Sequence, residues 1–213
     1  MNNVFKKIEQ NKVIAVLRGM SPEKVLPAAE ALVNGGVKTL EITADTPEIE
    51  ALLAKLNTRF DDDVIIGAGT VLDTQTAATL IDAGANFIFS PNVCTETISV
   101  TKEKGVISIP GALTPTEIVE AYQSGADAVK VFPANALGPN YLKSINGPLS
   151  HIPLVPTGGI NQENMPFYFQ KNVIAVGLGR SLVNADAINQ HNNYIELTNK
   201  ARAFMALVDG KGE

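Results

Sequence analysis

Short runs of β-branched and other apolar residues recur along the chain, and longer stretches with helical spacing of apolar positions separate them. The runs cover residues 13–17, 39–43, 64–67, 86–89, 106–109, 128–131, 154–156 and 173–176. This alternation predicts eight strands with helices between them. Strict alternation of strand and helix favours parallel strands joined by right-handed crossovers.

Start and stop signals frame the predicted helices. A capping residue followed by proline marks three starts, at Ser21-Pro22, Thr46-Pro47 and Thr114-Pro115. Thr114 and Glu117 also have the spacing of a capping box. Glycines predict the stops, at Gly35-Gly36, Gly84, Gly105 and Gly125. The last three lie about 20 residues apart, which is typical of repeated helix–strand units.

Eight such units favour an α/β fold of the (β/α)8 TIM barrel type. The competing architecture is an open doubly wound sheet, which normally carries a glycine fingerprint after its first strand. Here that position reads Leu17-Arg18-Gly19-Met20, so we expect the barrel. Because no linker or block of charge divides the chain, residues 1–213 are predicted to form a single domain.

Composition narrows the possible functions. The 213 residues carry a formal charge of −5, which argues against nucleic-acid and anionic-membrane binding. No apolar run has the length of a membrane span, and residues 1–11 lack a signal-peptide pattern, so we expect a cytoplasmic protein. Cys94, His151 and His191 are too few for a disulfide or a cysteine/histidine metal site, so we expect neither a metal nor a cofactor.

Two charged residues fall on strand positions that face the interior of the predicted barrel. Alternation turns Val129 and Val131 toward the helices and Lys130 inward, and the same rule turns Glu41 and Thr43 inward. One interpretation is a buried structural ion pair. The other is a desolvated lysine that forms a Schiff base with a carbonyl substrate while the glutamate moves protons.

Small residues follow two further predicted strands at the carboxyl ends, where active sites of this fold lie. The segment 67–70 reads Gly-Ala-Gly-Thr and ends in the hydroxyl of Thr70, and Gly111 follows another strand. One interpretation is that these glycines let a ligand approach the backbone. The other is that only small residues fit in the interior of the barrel at these positions. Arg18 is expected to clamp an anion at this opening, or else to form a rim salt bridge. We also expect Thr43, Pro91, Gly111 and Phe132 to contact the substrate.

Two glycine-rich turns follow the last two predicted strands, at 156–161 and 177–181. Turns that lead into helix N-termini at these places are the usual phosphate site of a TIM barrel. The sequence has neither a dinucleotide fingerprint nor a Walker lysine there, so a phosphorylated substrate fits better than a nucleotide. The predicted phosphate-binding residues are Gly158, Gly159, Gly179, Arg180 and Ser181. Arg180 alternatively is a solvated surface residue.

These segments together resemble the bacterial class I aldolases that cleave 2-keto-3-deoxy-6-phosphogluconate (KDPG) and 4-hydroxy-2-oxoglutarate (KHG). The likeness extends from about residue 12 to about residue 208. It is carried by Val16-Leu17-Arg18-Gly19, Leu40-Glu41-Ile42-Thr43, Gly67-Ala68-Gly69-Thr70-Val71-Leu72, Lys130-Val131-Phe132-Pro133 and Pro156-Thr157-Gly158-Gly159-Ile160.

The resemblance implies a metal-independent, pyruvate-forming aldolase on a (β/α)8 barrel, usually a homotrimer. Lys130 matches the Schiff-base lysine, Glu41 the acid/base glutamate and Thr70 the contact to the substrate carboxylate. Gly158 and Gly159 match the phosphate turn, and Thr157 lies where the family reads stereochemistry at the cleaved bond.

Two positions depart from the family pattern. Asp45 stands where many members carry an arginine that contacts substrate, and Arg180 stands where many carry a serine. A sugar-phosphate isomerase or epimerase, with Glu41 as base, and a non-catalytic barrel that binds a phosphorylated metabolite therefore remain as alternatives.

Overall fold

The fold is α/β, and all paired strands run parallel. The computed structural model describes residues 3–209. The strands are β1 Val13–Leu17, β2 Thr39–Thr43, β3 Ile65–Gly69, β4 Phe87–Phe89, β5 Ile107–Ile109, β6 Gly111–Ala112, β7 Val129–Val131, β8 Leu154–Pro156 and β9 Val176–Leu178. The α-helices are α1 Asn3–Asn11, α2 Pro22–Asn34, α3 Ile49–Arg59, α4 Thr74–Asp82, α5 Thr95–Glu103, α6 Pro115–Gln123, α7 Gly138–Asn146, α8 Met165–Tyr168, α9 Ala185–His191 and α10 Tyr194–Asp209, and a 3₁₀ turn covers Ala134–Ala136.

The strands form two sheets, and the larger one curls into a half-barrel. Its order is β5-β4-β3-β2-β1-β9, and the smaller sheet has the order β6-β7-β8. The sequence predicts a complete eight-stranded barrel. The structure confirms the parallel α/β architecture, with one curled sheet and a separate three-stranded sheet. Pro110 separates β5 from β6, because proline has no N–H to continue a ladder. Between β8 and β9 there are only isolated bridges, at Leu154–Val173 and Thr157–Gly177.

The predicted strand runs agree with the structure to within a few residues, with one larger displacement. The last run was expected at 173–176, whereas β9 spans Val176–Leu178. Val173 instead makes one of the isolated bridges, next to Asn172, whose side chain donates to the carbonyl of Ile152 at 2.9 Å. The backbone N–H of Leu154 donates to the carbonyl of Asn172 at 2.8 Å, and that of Ile174 donates to the carbonyl of Leu154 at 3.0 Å, so this stretch pairs with β8 before β9 begins.

Helix boundaries confirm most of the signals. The Thr114–Glu117 capping box is present, and Gly36, Gly84, Gly105 and Gly125 have positive φ after their helices. The expectation that a helix starts at Thr46-Pro47 is wrong, because α3 begins at Ile49. The backbone N–H of Thr46 turns back to the carbonyl of Thr43 at 2.9 Å instead.

Alternation along the strands divides the buried side chains into two clusters. An outer cluster lies between strands and helices and includes Ile88, Val129 and Val131. An inner cluster contains Phe87 and Phe89 and is joined by Phe5 and Ile8 of α1. The inner face of the sheets is therefore filled with apolar side chains beneath the carboxyl ends of the strands, and Lys130 and Glu41 rise from that face.

Candidate active site

A cavity of about 770 Å³ opens at the carboxyl ends of the strands. Most of the predicted site residues line it, namely Arg18, Glu41, Thr70, Pro91, Lys130, Phe132, Thr157, Gly158, Gly159, Gly179, Arg180 and Ser181. The structure therefore brings together groups that lie as far apart in the sequence as Arg18 and Ser181.

Thr43 and Gly111 are not among the residues that line the cavity. Thr43 is fully buried, and its hydroxyl lies 3.4 Å from that of Thr46. Gly111 packs beneath the backbone of Pro91, where a Cβ atom would lie only 2.4 Å from a backbone carbon. Both residues support the wall of the site, so the expectation that they contact substrate finds no support in the geometry.

The lining also contains polar residues that the sequence did not single out. Asn161, Asn184 and Asp186 face the cavity near the two glycine turns. Asp186 accepts a hydrogen bond from Arg180 at 3.0 Å. Its position six residues after Arg180, near the start of α9, was the only available signal, and side-chain pairing across a loop is not visible in a sequence.

Lys130 lies on β7 between two aromatic rings. Its side chain is 5% exposed, and Nζ is 4.2 Å from the ring centre of Phe89 and 4.7 Å from that of Phe132. Burial lowers the pKa of Lys130, with a smaller contribution from Arg18, and the negative charge of Glu41 partly offsets the effect. Desolvation thus favours the neutral amine that can attack a carbonyl.

Glu41 is the most deeply buried acid of the site. Only 1% of it is exposed, and Oε2 has no hydrogen-bond partner. Burial raises the pKa of Glu41 to about 7, and Asp45 adds to this, whereas Lys130 and Arg18 act against it. Near neutral pH this carboxyl can therefore either give or accept a proton.

Gly69 makes room for the Glu41 carboxyl group. A Cβ atom on Gly69 would lie 1.6 Å from Oε1. Within residues 3–209 no salt bridge of 4.0 Å or less joins Glu41 to Lys130. The pair is therefore not the closed structural ion pair that the sequence left open.

Arg18 and Thr70 form a polar pair at the rim. The exposed guanidinium of Arg18 donates a hydrogen bond to the hydroxyl of Thr70. Thr70 has a φ of 58°, which is a strained conformation for a β-branched residue. Strain of this kind is concentrated at functional sites, and here it places a hydroxyl and a cation on the same side of the cavity.

The glycine turn after β8 presents backbone donors. Gly158 and Gly159 have φ values of 103° and 69°. The N–H groups of Gly158, Gly159 and Ile160 make no hydrogen bond to any other residue of the described chain. Such a row of unsatisfied donors is suited to an anion.

Neither glycine turn leads directly into a helix, contrary to the expectation. The next helices begin only at Met165 and Ala185. The positive features that the structure shows at the anion site are the backbone donors and Arg180. Arg180 is 83% exposed and pairs with Asp186 at 3.0 Å, so the structure agrees in part with the surface interpretation of Arg180.

Thr157 reaches the cavity from the end of β8 and is nearly buried. A Cβ atom on Gly177 would lie 2.2 Å from its hydroxyl oxygen, so glycine at that position is what lets the threonine lie there. The hydroxyl donates to the carbonyl of Val155 at 3.3 Å. Thr157 and Arg18 line the same cavity, from the ends of β8 and β1.

The side chains of Cys94, His151 and His191 do not line the cavity. The imidazole of His151 packs edge-to-face on Tyr122 at 5.8 Å, and Cys94 precedes α5. Within residues 3–209 no group of three or more His, Cys, Asp or Glu residues is arranged to hold a metal ion. No helix in that range combines the length and apolar character of a membrane span.

Comparisons with known proteins agree with this site. A family model described as KDPG and KHG aldolase matches residues 4–199. The KHG/KDPG aldolase of Escherichia coli (strain K12) is 36% identical over 193 residues, covering 89% of each chain. The 2-dehydro-3-deoxy-6-phosphogalactonate aldolase of the same organism is 33% identical, over 81% of this chain and 85% of the relative.

A solved structure adds a chemical comparison. The KDPG aldolase from Legionella pneumophila, with pyruvate captured as a covalent carbinolamine intermediate, superposes with a TM-score of 0.87 at 34% identity, over 95% of this chain and 98% of that one. The family match across residues 4–199 shows that this chain belongs to the KDPG and KHG aldolase family and is a lyase.

Proposed function

We propose that this protein is a class I aldolase that cleaves 2-keto-3-deoxy-6-phosphogluconate, or a related 2-keto-3-deoxy sugar acid, to pyruvate and an aldehyde. With the gluconate substrate the aldehyde is glyceraldehyde 3-phosphate, and 4-hydroxy-2-oxoglutarate would give glyoxylate. The observation that carries the proposal is the desolvated Lys130 beside the protonatable Glu41 in one cavity. The covalent pyruvate intermediate of the Legionella relative supports it.

The chemistry begins at the neutral amine of Lys130. Its nitrogen attacks C2 of the keto acid, and Glu41 supplies the proton with which the hydroxyl leaves as water, so that a cationic imine remains. This imine withdraws electrons from C3. Glu41, now a carboxylate, accepts the proton of the C4 hydroxyl as the C3–C4 bond breaks and the aldehyde departs.

The remaining steps return the enzyme to its starting state. The electron pair of the broken bond is held as an enamine, and C3 takes the proton that Glu41 holds, which gives the cationic imine of pyruvate. Water then adds to C2 and gives a proton to the Glu41 carboxylate, the bond from C2 to nitrogen breaks, and pyruvate leaves Lys130 as a neutral amine. No oxidant or reductant is required, because the imine itself accepts the electrons.

Two anion sites would orient the substrate along the cavity. Arg18 and Thr70 suit the carboxylate next to C2, since they lie together at one rim. The N–H groups of the turn 158–160 and the side chain of Arg180 suit a phosphate at the far end. Asp45 is exposed and does not line the cavity, so Arg18 takes the place of the family's arginine in this proposal.

The alternatives carry less support. An isomerase or epimerase, and a non-catalytic barrel, are not favoured by the family match or by the aldolase names of the relatives. Closure of the two sheets into one (β/α)8 barrel and assembly as a homotrimer belong to the same proposal. The isolated bridges between β8 and β9 support closure, and the family resemblance supports the trimer. Cytoplasmic location stays a prediction from the sequence.

A retro-aldol assay tests the proposal. Pyruvate release would be measured from KDPG, its phosphogalactonate epimer, an unphosphorylated analogue and 4-hydroxy-2-oxoglutarate. We expect release from at least one phosphorylated acid, loss of that activity in Lys130→Met, and full activity in Lys143→Met, which removes an exposed lysine of α7. Absence of pyruvate with all four compounds, or activity in Lys130→Met, would contradict the proposal.

A further inference from the structure

A buried aromatic ring lies directly against the reactive nitrogen of Lys130. The ring centre of Phe89 is 4.2 Å from Nζ, closer than that of Phe132 at 4.7 Å. Phe132 lines the cavity and is 37% exposed, whereas Phe89 is completely buried in the inner cluster. Phe89 therefore supports the lysine from the interior and does not share the wall of the cavity with the substrate.

The surroundings hold the Phe89 ring in place. Phe87 meets it edge-to-face, with ring centres 6.3 Å apart and planes at 86°. On β4 the neighbours of Phe89 are Gly69 of β3 and Ile109 of β5. Packing on these sides leaves the ring face directed at Lys130 and little room for rotation.

The face of an aromatic ring attracts a cation and gains little from a neutral amine. During the proposed reaction Lys130 changes from a neutral amine to a cationic imine with its nitrogen in the same place. A ring at 4.2 Å, shielded from water, therefore favours the imine over the free amine. A contact between the ring and an uncharged substrate atom would not distinguish the imine from the free amine.

We propose that Phe89 is a positioning residue that stabilises the cationic imine on Lys130 from beneath and so determines how much imine accumulates. The inference rests on the proposed Schiff base at Lys130. Phe89 is not among the residues that line the cavity.

The pH dependence distinguishes this role from simple core packing. Free Lys130 is a cation below its pKa, so the ring stabilises the free and the imine forms equally there. Above that pKa the free lysine is neutral, and only the imine gains from the ring. The other charged groups that act on Lys130 are Glu41 of β2 and Arg18 after β1. Neither is replaced in the test, so the titration of Glu41 near pH 7 is common to wild type and both variants.

The experiment compares Phe89→Leu with Phe5→Leu by borohydride trapping. Each variant would be titrated with pyruvate from pH 6 to 10, and the reduced adduct at Lys130 quantified by intact mass and peptide mapping. Phe5 is the matched control, because it belongs to the same buried cluster and makes no ring contact with Phe89 and no cation–π contact with Lys130 among the described residues. Both variants are expected to lose stability.

For Phe89→Leu we expect about tenfold more pyruvate for half-trapping at the alkaline end and no change at the acid end. The pH at which the curve bends should move down by about one unit, because the ring no longer holds the lysine ammonium. Phe5→Leu should follow the wild-type curve. Coincidence of the two variants at alkaline pH, or an equal loss at every pH, would overturn the proposal.

A second measurement covers the case in which Phe89→Leu does not fold. Fluorinated phenylalanines placed at position 89 keep the shape of the ring and progressively remove its negative face. Alkaline half-trapping concentrations should rise stepwise with fluorination, and a flat series would overturn the proposal. Wild-type adduct on a lysine other than Lys130 would refute the Schiff-base assignment and this inference with it, whereas a normal wild-type adduct with a flat series would refute this inference alone.

Discussion

At the scale of single residues, the site depends on two ionisable groups removed from water. Alternation along the strands is enough to predict that Lys130 and Glu41 face inward, because neighbouring Val129, Val131, Leu40 and Ile42 require the helix side. The sequence does not show how far apart the two groups lie or that Oε2 of Glu41 lacks a partner. Those facts depend on the register between strands that are distant in the sequence.

Glu41→Gln tests the proton transfer. The amide has nearly the same shape but cannot carry the proton, so turnover should fall roughly 10²- to 10⁴-fold while the circular dichroism spectrum stays unchanged. Steady-state kinetics on the best substrate measures this. Turnover equal to that of wild type would remove Glu41 from the mechanism.

The same variant should change how stability depends on pH. The unfolded-state pKa of Glu41 is 4.5 and burial raises the folded-state pKa to about 7, so between these values the folded protein binds more protons. The free energy of unfolding of wild type should therefore fall as the pH rises from 4.5 to 7, because the folded protein loses its extra proton. Glu41→Gln should lack this fall. Urea unfolding at pH 5 and pH 8 measures the free energy of unfolding of both proteins. An equal change between the two pH values in wild type and in Glu41→Gln would contradict the raised pKa of Glu41.

At the scale of elements, the site lies at the carboxyl ends of the strands, and glycines there leave room for side chains of the neighbouring strands. Repetition of strand and helix signals was enough to predict the alternation of strands and helices from β1 onward, but not α1, which precedes β1. The break at Pro110, the start of α3 at Ile49 and the four-residue α8 were not predicted, because local proline signals compete with hydrogen bonds made across loops. The roles of Gly69 and Gly177 likewise became visible only once Glu41 and Thr157 were placed opposite them.

Gly69→Ala tests this fit. The new methyl group would overlap Oε1 of Glu41, so the carboxyl group must move. We expect kcat/KM to fall by at least about tenfold and stability to fall by about 1–3 kcal/mol. Gly147→Ala is the control, since that glycine follows α7 with helical angles and a Cβ there would make only an ordinary contact, 3.7 Å from the carbonyl oxygen of Ser144; the change should leave activity intact. Unchanged kcat/KM in Gly69→Ala would show that Glu41 tolerates displacement.

At the scale of the whole molecule, nearly all the predicted site residues lie at one end of the curled sheet. The acidic chain, with a net charge of −5, places Arg18 and Arg180 at the mouth of this cavity. The glycine turns and these two arginines were sufficient to predict an anionic small-molecule substrate. The Arg180–Asp186 pair and the late start of α9 were not predictable, because both depend on the path of a loop.

Arg180→Ala tests the proposed phosphate site. Removal of a phosphate donor affects only ligands that carry the group, so KM should rise about tenfold for a phosphorylated acid and stay unchanged for 4-hydroxy-2-oxoglutarate. Asp186→Asn serves as the companion variant, since it frees Arg180 without removing its charge. Equal effects of Arg180→Ala on both substrates would mean that Arg180 is a surface residue.

Chelation tests the source of the electron sink. Because the proposed imine withdraws electrons without a metal, incubation with EDTA followed by dialysis should leave the retro-aldol rate unchanged. The rate before and after treatment is the measurement. A loss that zinc or magnesium restores would favour a metal-dependent aldolase.

The most direct test of the central claim is reduction with borohydride in the presence of pyruvate, followed by peptide mapping. The reaction would convert an imine into a stable secondary amine and inactivate the enzyme. The account predicts one pyruvate-derived adduct per chain, on Lys130, with activity lost in proportion to labelling. Label on Lys102 or Lys143, or full activity with no label at all, would contradict it.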